Sequence, residues 1–446
     1  QYDLMAAVMA GGMVPPLGLA LACMLFPTRF TASERRSVPQ TAIMGLSFVT
    51  EGALPFALRD PLRVSPSCIV GSALAGFLAI FLGCGCPAPH GGLFLLPVMG
   101  NPLGFLAALL GGSLLAALLL LSLTACGAPK AQEVSLFAMD TYMTLSAYGD
   151  SAEEALAAAS REINRLESTL SRTIAASDVS RLNAGETVTV QKETRELLER
   201  ALALSDETGG AFDMTVAPLV SLWGITSDAP HVPSPEEIDA LLPLVGSEHV
   251  HMDGSIVSLD AGCAVDLGGI AKGYASQQVA DILHAHGVTS AVVSLGGNVY
   301  VCGAKPDGSA WNVGIQDPTS SGYAATVALT DCFAVTSGGY QRYYVAEDGT
   351  VYQHIIDPRT GRPADSDLLS VTVISDDGTA VDAYSTALYV MGEQEAVSFW
   401  RAHGGFELIL ITADGRLLYT PGLSDAITKP EGCAYDFQPI IAQPAA

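Results

Sequence analysis

The chain has 446 residues, which is long enough for two or three domains, and its formal net charge is −25 at pH 7. Residues 1–128 are mostly apolar and contain five basic and four acidic residues, a net charge of +1, so residues 129–446 carry −26. A strongly acidic surface repels phosphate backbones, so the composition argues against a nucleic-acid-binding protein.

Three apolar runs of membrane-spanning length occupy the N-terminal region, at residues 5–27, 66–83 and 103–125. They predict an all-α bundle of transmembrane segments in residues 1–125. Glu51 lies between the first two runs, in a segment broken by glycine and proline. Ionisable groups at membrane depth are costly and tend to serve a function.

Two short motifs accompany these runs, TEGALPFA at residues 50–57 and APHGG at residues 88–92. With their surroundings, about residues 1–120, they resemble the C-terminal part of the fructose-type permease (IIC) component of the sugar phosphotransferase system. The resemblance implies that Glu51 is a candidate sugar contact. Most of such a permease is missing from this sequence, so we do not expect the fragment to transport sugar.

The third apolar run ends in small residues, Leu123-Thr124-Ala125, immediately before Cys126. This pattern is typical of a lipoprotein signal, and it predicts cleavage before Cys126 and lipid attachment to it. A last permease helix with a chance cysteine is the alternative, because the run has no basic residue after Met99. Residues 126–134 then form a linker, and we expect the following domain at the outer face of the cytoplasmic membrane.

The remaining chain is predicted to be a soluble α+β domain. Apolar residues at helical spacing indicate helices at 151–172 and 191–208, and a capping box at 234–237 indicates the start of a third. Strands are predicted at 257–261, 290–296, 311–315 and 369–375. Helices and strands mix without a strict βαβ repeat, which favours layered α+β architecture.

Two segments of this domain carry candidate chemistry. At residues 265–274, VDLGGIAKGY indicates a strand end, a glycine turn and a helix start, where free amides and Lys272 suit a phosphate. Asp382 and Thr386 are predicted to open a later helix with both oxygens on one face, a plausible part of a Mg²⁺ shell. A structural glycine turn and an N-capping aspartate with a solvated threonine are the respective alternatives.

A third segment places His354 directly before a turn of sequence DPRTG at residues 357–361. A histidine there can accept a proton near neutral pH, although a structural histidine is an equal alternative. Further glycine turns follow element ends at residues 210–213, 294–298 and 336–340.

Eight segments occur in the order AMDTYMTL, LSRTIAASDVSRLN, GGAFDMTVAPLVSLWG, VDLGGIAKGYA, SLGGNVY, TSGGYQRYY, HIIDPRTGRP and DAYSTALYVMG. In this order they resemble the ApbE family, the FAD:protein FMN transferases, over about residues 135–425. The resemblance implies an ApbE-type, T-fold-like α+β domain and leaves residues 426–446 as a C-terminal tail.

The resemblance also implies roles for individual residues. The implied FAD contacts are Met139, Ala211, Phe212, Asp213, Asp266, Lys272, Ser337 and Ile356. The implied Mg²⁺ ligands are the carbonyl of Gly269 and the side chains of Asp382 and Thr386, with Ser385 as a further candidate. The implied catalytic groups are His354, Asp357 and Lys272. Three positions depart from the family pattern: Asp140 replaces a usual glycine, the segment at Thr173 lacks an aromatic residue, and Gly339 replaces a common acidic residue.

The activity implied is Mg²⁺-dependent transfer of FMN from FAD to a Thr or Ser of an acceptor flavoprotein, with release of AMP. The implied acceptors are subunits of membrane-bound redox complexes or FMN-binding domains. Two alternatives stay open, a Mg²⁺-dependent pyrophosphatase that splits FAD into FMN and AMP, and a flavin-binding lipoprotein without turnover. A sugar transporter, based on residues 1–120 alone, is the least favoured function.

Overall fold

The computed structural model describes residues 2–27, 30, 32–88, 90–123 and 131–441. The chain separates into two compact units, residues 1–128 and 129–446. The predicted lipoprotein cysteine, Cys126, lies outside the described residues.

In its described residues, the first unit contains helices and connecting turns but no strand. Its helices are α1 (Tyr2–Leu25), α2 (Ala32–Leu46), α3 (Leu54–Arg59), α4 (Pro61–Phe81) and α5 (Pro102–Leu123). The segments Tyr2–Leu25, Arg63–Phe81 and Pro102–Ser122 are long and apolar enough to cross a membrane, as the three apolar runs predict. Small residues let these helices approach closely, because a Cβ on Gly71 would lie 2.6 Å from the carbonyl oxygen of Gly112.

Glu51, the candidate sugar contact, lies in a short 3-10 helix, Thr50–Ala53, and is exposed. Among the described residues of this unit, no side-chain contact gives Glu51 a binding role, so that expectation stays untested.

The second unit combines seven helices with nineteen strands in its described residues. The helices are α6 (Ala152–Leu170), α7 (Asp178–Asn183), α8 (Lys192–Glu207), α9 (Ala217–Trp223), α10 (Pro235–Leu241), α11 (Ala271–Ala285) and α12 (Gly378–His403). The strands are β1 (Gln132–Ala138), β2 (Thr141–Ala147), β3 (Val188–Thr189), β4 (Val250–Asp253), β5 (Ile256–Leu259), β6 (Ser290–Leu295), β7 (Asn298–Gly303), β8 (Trp311–Gln316), β9 (Tyr323–Leu329), β10 (Cys332–Gly338), β11 (Tyr343–Val345), β12 (Val351–Gln353), β13 (Ile356–Asp357), β14 (Arg362–Pro363), β15 (Leu368–Ser375), β16 (Glu407–Thr412), β17 (Arg416–Tyr419), β18 (Ile427–Thr428) and β19 (Asp436–Pro439).

A nine-stranded sheet organises this unit, in the order β1-β2-β6-β7-β10-β15-β16-β17-β19, and only its last pair is parallel. Side chains alternate between its two faces. On β7, Tyr300 and Cys302 face a core shared with α6, α11 and α12, whereas Val301 faces a core shared with the β18-β9-β8 sheet. The domain thus has a layer of helices on one face of the nine-stranded sheet and a smaller sheet on the other. This confirms the predicted α+β architecture.

The start of α12 differs from the sequence prediction. The helix begins at Gly378 rather than at Asp382, because the carboxylate of Asp377 accepts hydrogen bonds from the amides of Thr379 (3.1 Å) and Ala380 (2.9 Å). Asp382 therefore lies inside the helix and is not its N-cap. The predicted capping box of α10, by contrast, is present at Ser234 and Glu237.

The first hairpin of the sheet places a strained loop beside the helix layer. Met139 and Asp140 join β1 to β2 as a two-residue loop, and both have positive φ, 50° and 56°. Two consecutive left-handed residues are typical of a type I′ turn, in which glycine is favoured at the second position. The amide of Met139 is held by the carboxylate of Glu167 at 2.9 Å.

Replacing Asp140 by glycine is expected to stabilise the second unit by roughly 0.5 kcal/mol, because glycine relieves left-handed strain but loses more backbone entropy on folding. Within the described part of the chain, the Asp140 carboxylate has no hydrogen bond to lose. Unfolding can be followed by tryptophan fluorescence, since all three tryptophans lie in this unit. Asp140→Ala is the control and should be less stable than Asp140→Gly; the reverse order would contradict the explanation.

Candidate functional site

A cavity of about 400 Å³ opens where the helix layer meets the ends of several strands. Its lining includes every residue to which the family resemblance assigns a role, except Asp357 and Ser385. The lining residues predicted from sequence are Met139, Ala211, Phe212, Asp213, Asp266, Gly269, Lys272, Ser337, His354, Ile356, Asp382 and Thr386. The motifs therefore converge although they span more than half of the chain.

The glycine turn before α11 forms one wall of this cavity. The amide of Gly268 donates to the carboxylate of Asp266 at 2.8 Å, and the ammonium of Lys272 donates to the carbonyl of Gly268 at 2.9 Å. The turn thus brings a cation to the N-terminal end of a helix, where backbone amides also favour negative charge. This arrangement suits a phosphate group, as the sequence predicts.

A second wall comes from the loop before α9. Ala211 and Phe212 are buried, and Asp213 caps the following 3-10 turn by accepting from the amide of Thr215 at 2.7 Å. Its other carboxylate oxygen accepts from the hydroxyl of Ser205 at 3.0 Å. The Asp213 side chain therefore fixes the conformation of this loop at the cavity wall.

Asp382 is the most deeply buried carboxylate among the cavity-lining residues, with an exposed fraction of only 3%. Its Oδ2 accepts from the backbone amide of Gly273 at 2.8 Å, where α11 and α12 cross. No lysine or arginine of the described chain forms an ion pair with it. Because a buried carboxylate without a counter-charge is costly, this position favours a bound cation.

Further oxygen atoms that could act as metal ligands lie close to Asp382. Thr386 lies one helical turn later, and a Cβ placed on Gly269 would be 3.6 Å from its hydroxyl oxygen. The hydroxyl of Ser337, on β10, lies 3.4 Å from that of Thr386. A carboxylate, hydroxyls and a backbone carbonyl are hard oxygen ligands of the kind that Mg²⁺ prefers, so the residues present fit this ion.

Ser385 lies next to this region but does not line the cavity. It is fully buried, and its hydroxyl donates to the carbonyl of Asp382 at 2.9 Å and lies 2.8 Å from the hydroxyl of Ser337. In this position Ser385 ties α12 to β10 and orients Ser337.

His354 follows β12 at the cavity wall. Its Nδ1 lies 3.1 Å from the carbonyl oxygen of Arg342, which can only accept, so Nδ1 carries the proton and Nε2 the lone pair. Burial lowers the pKa of His354 to about 4, with the neighbouring charges of Arg342 and Lys272 acting in the same direction. The ring is therefore neutral near pH 7 and can accept a proton at Nε2.

Asp357 does not reach the cavity. It is buried, and its Oδ1 accepts from Nε of Arg359 at 3.0 Å and from the Arg359 amide at 2.9 Å. The amide of Gly361 also donates to the Asp357 carbonyl, which closes the predicted turn. These contacts show that Asp357 shapes the DPRTG turn, while its implied catalytic role stays a prediction.

Two arginines at the cavity were missed by the sequence reasoning. Arg172 pairs with Asp266 at 2.8 Å, and Arg342 donates to the carbonyl of Asp140 at 3.0 Å. Both lie inside segments quoted for the resemblance, but their partners are distant in sequence, so no local pattern indicates the pairing.

The structure also explains one departure from the family pattern. Gly339 lies where an acidic residue is common, yet a Cβ at this position would be 2.6 Å from the hydroxyl of Tyr389 and 3.0 Å from the Cβ of Gln353. A side chain at this position would therefore require Tyr389 and Gln353 to move.

The N-terminal unit is similar to a sugar-transport protein. A PTS system fructose-specific EIIB'BC component from Rhodobacter capsulatus is 60% identical over 97 residues, which are 22% of this chain and only 17% of that protein. This match and the three long apolar helices associate the chain with the membrane.

The second unit matches the ApbE family model over residues 139–410. An FAD:protein FMN transferase from Treponema pallidum is 36% identical over 258 residues, covering 54% of this chain and 71% of that protein. The crystal structure of the flavinyl transferase ApbE from Pseudomonas stutzeri, in its apo form, superposes with a TM-score of 0.59 at 30% identity, covering 69% of this chain and 96% of that one. With more than half of its length matched by the family model, the chain belongs to the ApbE family.

Proposed function

We propose that the second unit transfers FMN from FAD to a threonine or serine of an acceptor flavoprotein and releases AMP. The observation that supports this most directly is that Asp382 is buried without a counter-charge. It lines the same cavity as the glycine turn with Lys272, which suits a phosphate, and as the neutral His354. The relatives named FAD:protein FMN transferase supply the identity of donor and product.

The reaction is a phosphoryl transfer. The acceptor hydroxyl oxygen forms a bond to the FMN-side phosphorus of FAD, and the bond from that phosphorus to the bridging oxygen breaks. AMP leaves with the bridging oxygen and its negative charge, and the hydroxyl proton moves to Nε2 of His354. A loose transition state places little demand on base strength, which suits a histidine of low pKa.

Asp382, Thr386 and the carbonyl of Gly269 would hold Mg²⁺, which supplies charge neutralisation on the pyrophosphate. Lys272 contributes a second positive charge at the turn, and the amides at the start of α11 orient a phosphate. Phe212 and Ile356 enclose the cavity with apolar surface and exclude water from the reacting phosphorus.

We also propose that the chain is held at the outer face of the cytoplasmic membrane, by lipid on Cys126 or by its apolar helices. The acceptor is then a subunit of a membrane-bound redox complex or an extracellular FMN-binding domain. Residues 129–446 carry a net charge of −26, which favours an acceptor whose docking segment is neutral or basic.

One observation favours a second function, hydrolysis of FAD to FMN and AMP. The segment Ser171-Arg172-Thr173 lines the cavity without an aromatic side chain, and Arg172 and Thr173 are exposed. Water enters such a cavity more easily than one closed by an aromatic ring, and it would attack the same phosphorus.

The test is to incubate the full chain in detergent micelles with FAD, Mg²⁺ and a candidate FMN-binding acceptor domain, and to measure the acceptor's mass. A gain of one FMN residue, prevented by EDTA and by replacing the acceptor threonine with alanine, supports the transferase. Free FMN and AMP without acceptor modification would make the protein a pyrophosphatase. If no AMP is released, the protein binds flavin without turnover.

The pH dependence of transfer tests the role of His354. Because the pKa of His354 is lowered to about 4, the ring stays neutral from pH 5 to 8, and its proton-accepting form is lost only as the pH falls through about 4. We therefore expect kcat/KM for FAD to show no acid limb near pH 6.5. An acid limb centred near 6.5 that disappears in His354→Gln would contradict this assignment.

A further inference from the structure

A second group of metal-ligating side chains lies outside the cavity. His284, Cys302 and Asp331 each bring one ligand atom to within 4.8 Å of the others, and none of them lines the cavity. His284 is in the last turn of α11 and Lys272 in its first, so the two places are roughly 18 Å apart along the helix.

Three separate elements position this group. Cys302, on β7, is only 1% exposed and faces the helix layer. Asp331 lies in the tight turn between β9 and β10 with a positive φ of 47°, and its Oδ1 accepts from the amide of Gly303 at 2.5 Å. One carboxylate oxygen is thereby fixed and the other is left to bind a ligand.

The three side chains converge without bonding to one another. The thiol of Cys302 donates to the carbonyl of Val288 at 3.4 Å, and Nε2 of His284 lies 3.0 Å from the hydroxyl of Tyr300. Throughout the described chain, no hydrogen bond joins His284, Cys302 and Asp331 in any pair. The hydroxyl of Tyr300 also forms a hydrogen bond with Cys302, so Tyr300 holds the imidazole and the thiol near each other, and Asp331 approaches them from a separate turn.

We propose that His284, Cys302 and Asp331 bind a divalent ion of the Zn²⁺ class. One thiolate, one imidazole and one carboxylate are a mixed ligand set that selects Zn²⁺ or Co²⁺ over Mg²⁺, so the site is chemically distinct from that at Asp382. Thiolate and carboxylate together balance the charge of the ion, which suits a buried cysteine. A water molecule would be the fourth ligand of the tetrahedral site.

The geometry needs only a small adjustment. Metal–ligand distances of about 2.0–2.3 Å place tetrahedral ligand atoms about 3.3–3.6 Å apart, so the group must contract by about 1 Å. His284 is exposed at a helix end and supplies this movement. The Tyr300 ring is stacked on Phe333 with centroids 4.5 Å apart, so its hydroxyl provides a fixed outer contact for the imidazole.

Co²⁺ is the probe for this site, because a thiolate bound to Co²⁺ gives a charge-transfer absorption band in the near ultraviolet. The full chain in detergent, with saturating Mg²⁺ present, is expected to develop this band at one equivalent of Co²⁺. Cys302→Ser should abolish the band. Cys433→Ser is the matched control, because Cys433 is a half-buried thiol that likewise donates to a carbonyl, at 3.2 Å, and it should retain the band.

His284→Ala supplies a second test, at an exposed position near the end of α11. It should weaken Co²⁺ binding at least tenfold while Asp382→Ala leaves that binding unchanged. Absence of the band at one equivalent, a band that persists in Cys302→Ser, or unchanged affinity in His284→Ala would each overturn the proposal. None of these readouts depends on FMN transfer, so the proposal can fail while the proposed function stands.

Discussion

Asp382→Ala is expected to lower FMN transfer about a thousandfold while the protein stays folded. The carboxylate is buried in the cavity without a cationic partner, so its removal takes away the main protein charge that would hold Mg²⁺. Losing about 4 kcal/mol of transition-state stabilisation corresponds to a factor of about 10³. The measurement is the rate of acceptor flavinylation and of AMP release over a range of Mg²⁺ concentrations.

The matched control for this variant is Asp377→Ala on the same helix. Asp377 caps α12 and pairs with Arg200 at 2.8 Å, so its loss costs about 1 kcal/mol of stability but should leave transfer within a few-fold. If Asp382→Ala retained transfer within tenfold of the parent and still required Mg²⁺, the ion would have to bind elsewhere.

Gly273→Ala is expected to reduce transfer severely and to lower the free energy of unfolding by about 2–3 kcal/mol. A Cβ on Gly273 would collide with the carbonyl oxygen of Gly378 and lie 2.5 Å from the Cβ of Asp382. Neither group can rotate aside, so α11 and α12 must separate and the bond from the Gly273 amide to Asp382 must lengthen. Denaturant unfolding and the FAD turnover rate measure the two effects.

Ser276→Ala is the control for this crossing. Ser276 lies one turn further along α11, is fully buried, and its hydroxyl has no hydrogen-bond partner in the described structure. Removing that hydroxyl should leave stability and turnover unchanged or slightly raised. A Gly273→Ala variant as stable and active as Ser276→Ala would show that the helices accommodate the extra methyl group.

Most of the cavity could be predicted from sequence because its parts are local. The glycine turn at residues 268–269 with Lys272, the hydroxyls near Asp382 and the turn after His354 each form a recognisable motif within about ten residues. Their common order along the chain indicates the family, and the family implies that the motifs meet. The layered α+β fold and the three apolar helices followed from periodicity in the same way.

What the sequence could not supply are the contacts between motifs. The bond from Gly273 to Asp382 joins residues 109 positions apart, and the pair Arg172–Asp266 joins residues 94 apart. The sequence pattern predicts that α12 starts at Asp382, but the helix begins four residues earlier, at Gly378. Gly378 and Thr379 are weak helix formers, and capping by Asp377 offsets their low propensity. The ion pair between Asp357 and Arg359 is likewise not indicated by the turn sequence alone.

The crossing of α11 and α12 has a thermodynamic consequence. The glycine turn proposed to bind phosphate precedes α11, and Asp382, the proposed Mg²⁺ ligand, belongs to α12. Two hydrogen bonds join these helices, from the Gly273 amide to Asp382 and from the Gly378 amide to Gln277. Because the helices are joined, a ligand that orders one of them also orders part of the other. The second ligand then loses less conformational entropy when it binds. Binding of FAD and of Mg²⁺ should therefore be cooperative, and by linkage each must tighten the affinity for the other by the same factor.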